Sequence, residues 1–141
     1  MNESGGACLL PMPMPNDRTT RTVLFALRRM AVHGVRDANA CWLMLDLFST
    51  GFRRPLVLLR AFMLELSHAS RGPIQVAPCC TPRMTEDESL ILRILFGAAN
   101  DLAAAEDLLV DLTRNPGVAE PLSAAAVFGR CLTAAKLPNA V

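Results

Sequence analysis

The chain has no tyrosine, one tryptophan and one lysine, and only 19% of its 141 residues are charged. An ordinary soluble domain carries about 25%. Val, Ile and Thr are sparse beside Leu and Ala, so the strand-forming residue types are in short supply and a sheet protein is disfavoured. No stretch reaches the ~20 consecutive apolar residues that a membrane span needs. Asp46 interrupts Ala38–Phe48, and Arg60 and Glu65 interrupt Leu56–Leu66. No secretory leader is expected from these residues either, because Ala7–Leu10 is the whole apolar run before Pro11. Cys8 follows Gly5-Gly6-Ala7 without the hydrophobic stretch of a lipoprotein signal. These absences place the expected compartment in the cytoplasm. There is no Gly-rich phosphate loop, no Ser/His/Asp or Cys/His set supported by local sequence, and no paired C-x-x-C elements. The usual enzyme signatures are excluded with them.

What is there is apolar and helix-forming. Hydrophobic residues make up 52% of the chain. Its length suits one domain, able to bury roughly two-thirds of its unfolded surface without a disulfide or metal staple. Five cysteines, odd in number and unevenly spaced, fit free thiols in a reducing compartment. Cys41 and Cys131 fall inside apolar helical patterns as small buried hydrophobes. The net charge of +1 hides an asymmetry. Residues 1–84 hold ten Arg against five acids, whereas residues 85–141 hold four basic residues against eight acids. Complementarity within one domain is the simplest account, and antiparallel self-pairing or an acidic partner are the others.

The pattern along the chain predicts an all-α fold: about six helices in a single compact bundle (17–141), preceded by a disordered Pro/Met-rich arm (1–16). Pro11, Pro13 and Pro15 keep the arm from coiling, although its apolar residues could lie extended against the domain. Helix one runs from about Thr19 to His33, capped by Asp17 or Thr19 and stopped by a left-handed Gly34. Val23, Leu27, Met30 and Ala31 form its stripe, with Arg21, Arg28 and Arg29 off it, toward solvent or a partner. Helix two, about Ala38–Ser49 behind the cap Asp37, is apolar nearly all round. Cys41, Trp42, Leu45 and Phe48 make one face; Leu43, Met44 and Leu47 cover the rest. Such a helix is central or covered by another subunit. Pro55 suits the first turn of helix three, which continues to about Ser70 with Leu56, Leu59, Phe62, Met63 and Leu66 as core. Ile74–Met84 is not helical, and Ile74–Ala77 alternates weakly enough for a short extended segment. Helix four starts at a capping box, Thr85-Glu86-Asp87-Glu88, buries Ile91, Ile94 and Leu95, and ends near Gly97. Helix five is capped by Asn100, with Leu102, Ala105, Leu109 and Leu112 inward and Asp101, Asp107 and Asp111 in water. After the turn Asn115-Pro116-Gly117, helix six runs from about Pro121 or Ser123 to Lys136 around Leu122, Ala125, Ala126 and Leu132.

One constellation invites chemistry. Cys79 and Cys80 stand between Pro78 and Pro82, just ahead of a helix start that favours thiolate, with Arg83 adding positive charge and the acids 86–88 opposing it. A metal site there needs more ligands. His68 is the nearest candidate, with His33 or Cys8 to complete a set, and the spacing matches no zinc pattern. A purely structural loop is the commonest reading of such a segment; a reactive thiol pair and a site for zinc or another thiophilic metal are the alternatives. The doublets Arg28-Arg29 and Arg53-Arg54 suggest phosphate contact, and the tight Ser49–Arg54 turn hints at a helix-turn-helix. The second helix, with Leu56-Val57-Leu58-Leu59 and Phe62-Met63-Leu64, offers few polar groups to read base edges, which disfavours nucleic acid. His33 and His68 each end a helix, where an imidazole meets the negative dipole end.

The strings Phe25-Ala26-Leu27-Arg28-Arg29-Met30, Phe52-Arg53-Arg54-Pro55-Leu56-Val57-Leu58-Leu59-Arg60 and Ala77-Pro78-Cys79-Cys80-Thr81-Pro82-Arg83-Met84-Thr85 resemble an uncharacterised family of small bacterial proteins. The likeness spans most of residues 10–135. It implies a bacterial, cytoplasmic protein and no activity, the family being a domain of unknown function. It also implies a cysteine loop that often carries a third Cys, a pattern from which Thr81 departs. Residual apolar surface and the charge asymmetry carry the expectation: a non-enzymatic interaction protein without cofactor, binding a protein partner or pairing with a second copy of itself through helix two or the Ile74–Val76 edge. Its rivals are a metal or redox module at Cys79-Cys80 and a nucleic-acid accessory protein.

Overall fold

The computed structural model describes residues 12–135. The expectations for residues 1–11, including Cys8, and for Lys136 and Pro138 fall outside them. Six α-helices, packed together, make up the domain: α1 (Arg18–His33), α2 (Ala38–Phe48), α3 (Arg53–Ala69), α4 (Glu86–Gly97), α5 (Leu102–Thr113) and α6 (Ala119–Ala135). A 3-10 turn, Ser49–Gly51, joins α2 to α3. The one ladder among the described residues is antiparallel and two residues long, between β1 (Met12–Pro13) and β2 (Arg83–Met84).

Local chemistry explains most helix ends. The Asp17 carboxylate accepts from the Thr20 amide and Asp37 from the Ala40 amide, each filling an amide that the helix leaves unpaired. Thr85 and Glu88 close a complete capping box on α4. At α5 the cap is Asp101, accepting from the Ala104 amide, one residue later than the expected Asn100. Gly34 stops α1 at φ +100° and ψ 157°, a mirror-extended conformation open only to glycine rather than the expected left-handed helical one.

The core lies between α3 and its neighbours. The most extensive contacts are α3 with α6 and α1 with α2, followed by α4 with α5 and α6. The stripe expected on α3 is buried in full. On α1, Val23, Leu27 and Met30 are buried but Ala31 is exposed, and Leu24 and Ala26 join the core instead. On α5, Leu102 stands 52% exposed because it opens the helix; Ala105, Leu109 and Leu112 are inside. On α6 the dominant buried side chain is Phe128, with Ala125 and Ala126, while Leu122 and Leu132 are half-buried.

Two expectations change more. The buried face of α2 is Ala40, Met44, Leu47 and Phe48, and it rests mainly on α1; Trp42 points outward at 66% exposure. The central helix is α3, not α2. Residues 12–16, expected in the arm, lie against the domain. Met12 and Met14 pack on the core, and the Arg21 guanidinium donates to the Pro15 carbonyl at 2.8 Å. The strand that receives them is Arg83–Met84 and not Ile74–Ala77, which joins no ladder.

Candidate functional site: an arginine-clamped cysteine loop

The non-helical segment between α3 and α4 is built around Arg28. Its position on α1, four residues after Leu24 and one after Leu27, puts it on the apolar side of the helix. There the side chain is fully buried, contrary to the solvent-facing role expected from its charge. Such a charge needs every donor satisfied, because an unpaired one would shed its hydration for nothing. All five are. Nε donates to Glu88 Oε2 at 2.7 Å and Nη2 to Glu88 Oε1 at 3.0 Å. The remaining three N–H groups reach the carbonyls of Cys79 (3.2 Å), Thr81 (2.9 Å) and Arg83 (2.8 Å).

Glu88 is equally enclosed. Its carboxylate also accepts from the Ala77 amide at 2.9 Å and the Thr85 amide at 2.9 Å. Thr85 Oγ1 in turn donates to the Gln75 carbonyl at 2.7 Å, and Asp87 takes the Gln75 amide at 2.8 Å. The capping box therefore does two jobs, capping the N-terminus of α4 and fixing the loop. Its sequence signature was legible. The partner across 60 residues was not, although a charged residue on the core side of an amphipathic helix is the signal that could have found it.

Within this frame the Thr81 amide donates to the Pro78 carbonyl at 3.1 Å, closing a β-turn with Cys79 and Cys80 at its two central positions. Both thiols are free; Cys80 is exposed and Cys79 half-buried. Cys79 borders two clefts. One, of about 500 Å³, lies toward α2 and is lined by Arg29, Asn39, Trp42, Leu43 and Asp46. A smaller one, of about 220 Å³, places Cys79 with Arg29, Val32 and His33 of α1. His68 is exposed at the far end of α3, and no three His, Cys, Asp or Glu residues gather into a metal-sized cluster among the described residues. The ligand set Cys79, Cys80 and His68 is thus not brought together, and only His33 shares a cleft wall with a loop cysteine.

Arg29 and Asp37 pair at the rim of these clefts, 3.1 Å apart. The bond to Arg29 is the main cause that holds the Asp37 carboxyl below its ordinary range, against some burial and with help from the Ala40 amide. The same bond, partly offset by burial and helped by charge at Asp37, Cys79 and Cys80, raises Arg29. Burial pushes Asp17 up, but the Thr20 hydroxyl and amide outweigh it and leave that carboxyl depressed. Arg18 pairs with Asp46 at 3.1 Å on the surface. Of the arginine doublets, Arg28 is consumed internally and Arg29 is ion-paired, while Arg53 and Arg54 stay exposed.

Both depressed carboxyls, Asp17 and Asp37, have folded pKa values below their unfolded ones. Their contribution is present at neutral pH and is lost as pH falls through the folded values, below about pH 4. The urea midpoint should therefore be lower at pH 3 than at pH 7, and Asp37→Asn should flatten part of that dependence. Identical pH slopes for the variant and the wild type would contradict the assignment.

A bundle of six packed helices with a pinned, thiol-bearing loop belongs to the class of small all-α domains. The chain is a member of DUF6628, a family of unknown function, which it matches over residues 1–141. No curated protein matches it, and neither does any solved structure. No described helix is long and apolar enough to cross a membrane.

Proposed function

We propose that this domain is a non-enzymatic interaction module that docks a protein partner, with a second copy of itself as the first candidate, on the face of α2 beside the cysteine loop. Trp42 carries the reading. It is the sole tryptophan of the chain and stands 66% exposed, flanked by Leu43 and the clefted loop. Tryptophan is the residue most enriched among binding hot spots, since one side chain buries a large apolar area and still offers an N–H. Pinning of the neighbouring loop supports the reading further, because a surface fixed before binding loses little entropy on docking. The polar groups best suited to chemistry, Arg28 and Glu88, are spent inside the domain.

Crosslinking in the native cell, with light scattering of the purified chain, tests this. The expected result is a partner or a second copy joined through residues 39–46 or 78–83, with a blue shift of Trp42 emission on association. Trp42→Ala should weaken it by about thirty-fold or more, matching the ~2 kcal/mol or more of a hot spot. A chain that stays monomeric at high concentration and yields no crosslink on this face would overturn the proposal.

A further inference from the structure

We infer that Cys79 and Cys80 together form a two-coordinate site for a soft monovalent cation of the Cu(I) type. The inference is independent of the docking role and rests on the turn itself. Cys79 and Cys80 occupy the two central positions of a β-turn whose backbone is held by the Thr81 amide from within and by Arg28 from below. Two side chains at the adjacent central positions of one tight bend start from Cα atoms about 3.8 Å apart, which is within the span of a single ion held between two sulfurs. Both thiols are free, and access is open on the Cys80 side and through the cleft on the Cys79 side.

The donor set then selects the metal. No third His, Cys, Asp or Glu joins the two sulfurs among the described residues, so the four-ligand shell that structural zinc takes is not available from them. Thiolates are soft donors and favour Cu(I) among biological cations. Binding releases one proton from each thiol and forms two sulfur–metal bonds, with no electron transferred. The product carries one negative charge, and the Arg29 guanidinium, which shares both cleft walls with Cys79, is the cation placed on that side to offset it. Preorganisation adds to affinity because the turn is fixed in the metal-free fold by bonds that the thiols do not make.

Silver(I), a redox-inert stand-in for Cu(I), provides the test on the reduced full chain. Native mass spectrometry should show a first equivalent bound, with quenching of Trp42, which lines the Cys79 cleft. Cys79→Ser and Cys80→Ser should each weaken that equivalent by ten-fold or more, while the triple variant Cys8→Ser, Cys41→Ser, Cys131→Ser retains it. If either single variant binds the first equivalent as tightly as the wild type, the inference fails. Alkylation mapping of the unmutated chain gives a second readout that no folding defect can confuse. One equivalent of silver should protect Cys79 and Cys80 together, and protection of only one, or of neither, would also sink it. Trp42→Ala should leave the stoichiometry intact, so loss of docking and loss of metal binding are separate outcomes.

Discussion

Arg28→Met should destabilise the domain by about 3–5 kcal/mol, the usual penalty for breaking a buried pair and stranding its partner. For a domain whose total stability is about 5–15 kcal/mol, that is a large fraction. The more telling variant is the double replacement Arg28→Met with Glu88→Leu. An isolated buried ion pair can often be exchanged for apolar residues at no loss, since both desolvated charges leave together. Here the charges are not isolated. Arg28 also satisfies the carbonyls of Cys79, Thr81 and Arg83, and Glu88 satisfies the amides of Ala77 and Thr85. The double variant would leave these five backbone groups without those partners, at about 1–3 kcal/mol for each one that stays buried and unpaired. It should therefore remain well below wild type in urea midpoint, with faster hydrogen exchange across residues 77–85. Recovery of wild-type stability would show that the clamp is dispensable.

Phe62→Ala should cost a similar amount, about 3–5 kcal/mol, by emptying the middle of α3. Phe62 has no exposure, and α3 carries the most extensive helix–helix contact of the domain, against α6. Two residues along, Leu64 is 44% exposed. Leu64→Ala should stay within about 0.5 kcal/mol, as surface substitutions usually do. Denaturant unfolding of the two variants side by side checks both numbers. A small effect at Phe62 would mean that the core is organised around another helix.

Local signals carried much of the fold. Asp17, Asp37 and the Thr85–Glu88 box are short-range devices in which a side chain bonds an amide three residues away, so their spacing alone betrays them. The same holds for the stripe of α3, where Leu56, Leu59, Phe62, Met63 and Leu66 recur at helical spacing. Helix α2 resisted the same treatment. With apolar residues on every side, periodicity has no contrast to read, and the choice between the Trp42 face and the Met44 face was left to packing against α1. At α5, Asn100 and Asp101 are both good caps, and the local pattern does not choose between them.

The cysteine loop divides along the same line. Its two prolines and adjacent thiols are visible as a string of residues, and so is the helix start beyond it. Its rigidity is not, because that depends on a guanidinium 51 residues upstream reaching the Cys79 carbonyl. Nor is the company of the thiols visible: His68 was the nearer candidate in sequence, yet Arg29, Trp42 and His33 are the neighbours across the clefts.

By itself, then, the order of residues determined the helical class, the helix count and most of the caps, since these follow from bonds and hydropathy within a few turns. The tertiary structure alone decided that Arg28 is an internal strut, that Trp42 faces water and that Met12–Pro13 pairs with Arg83–Met84. The physical reason is the burial of charge. A guanidinium enters a core only where a carboxylate and free carbonyls converge on it, and that convergence exists only once α1, α4 and the loop between α3 and α4 have come together.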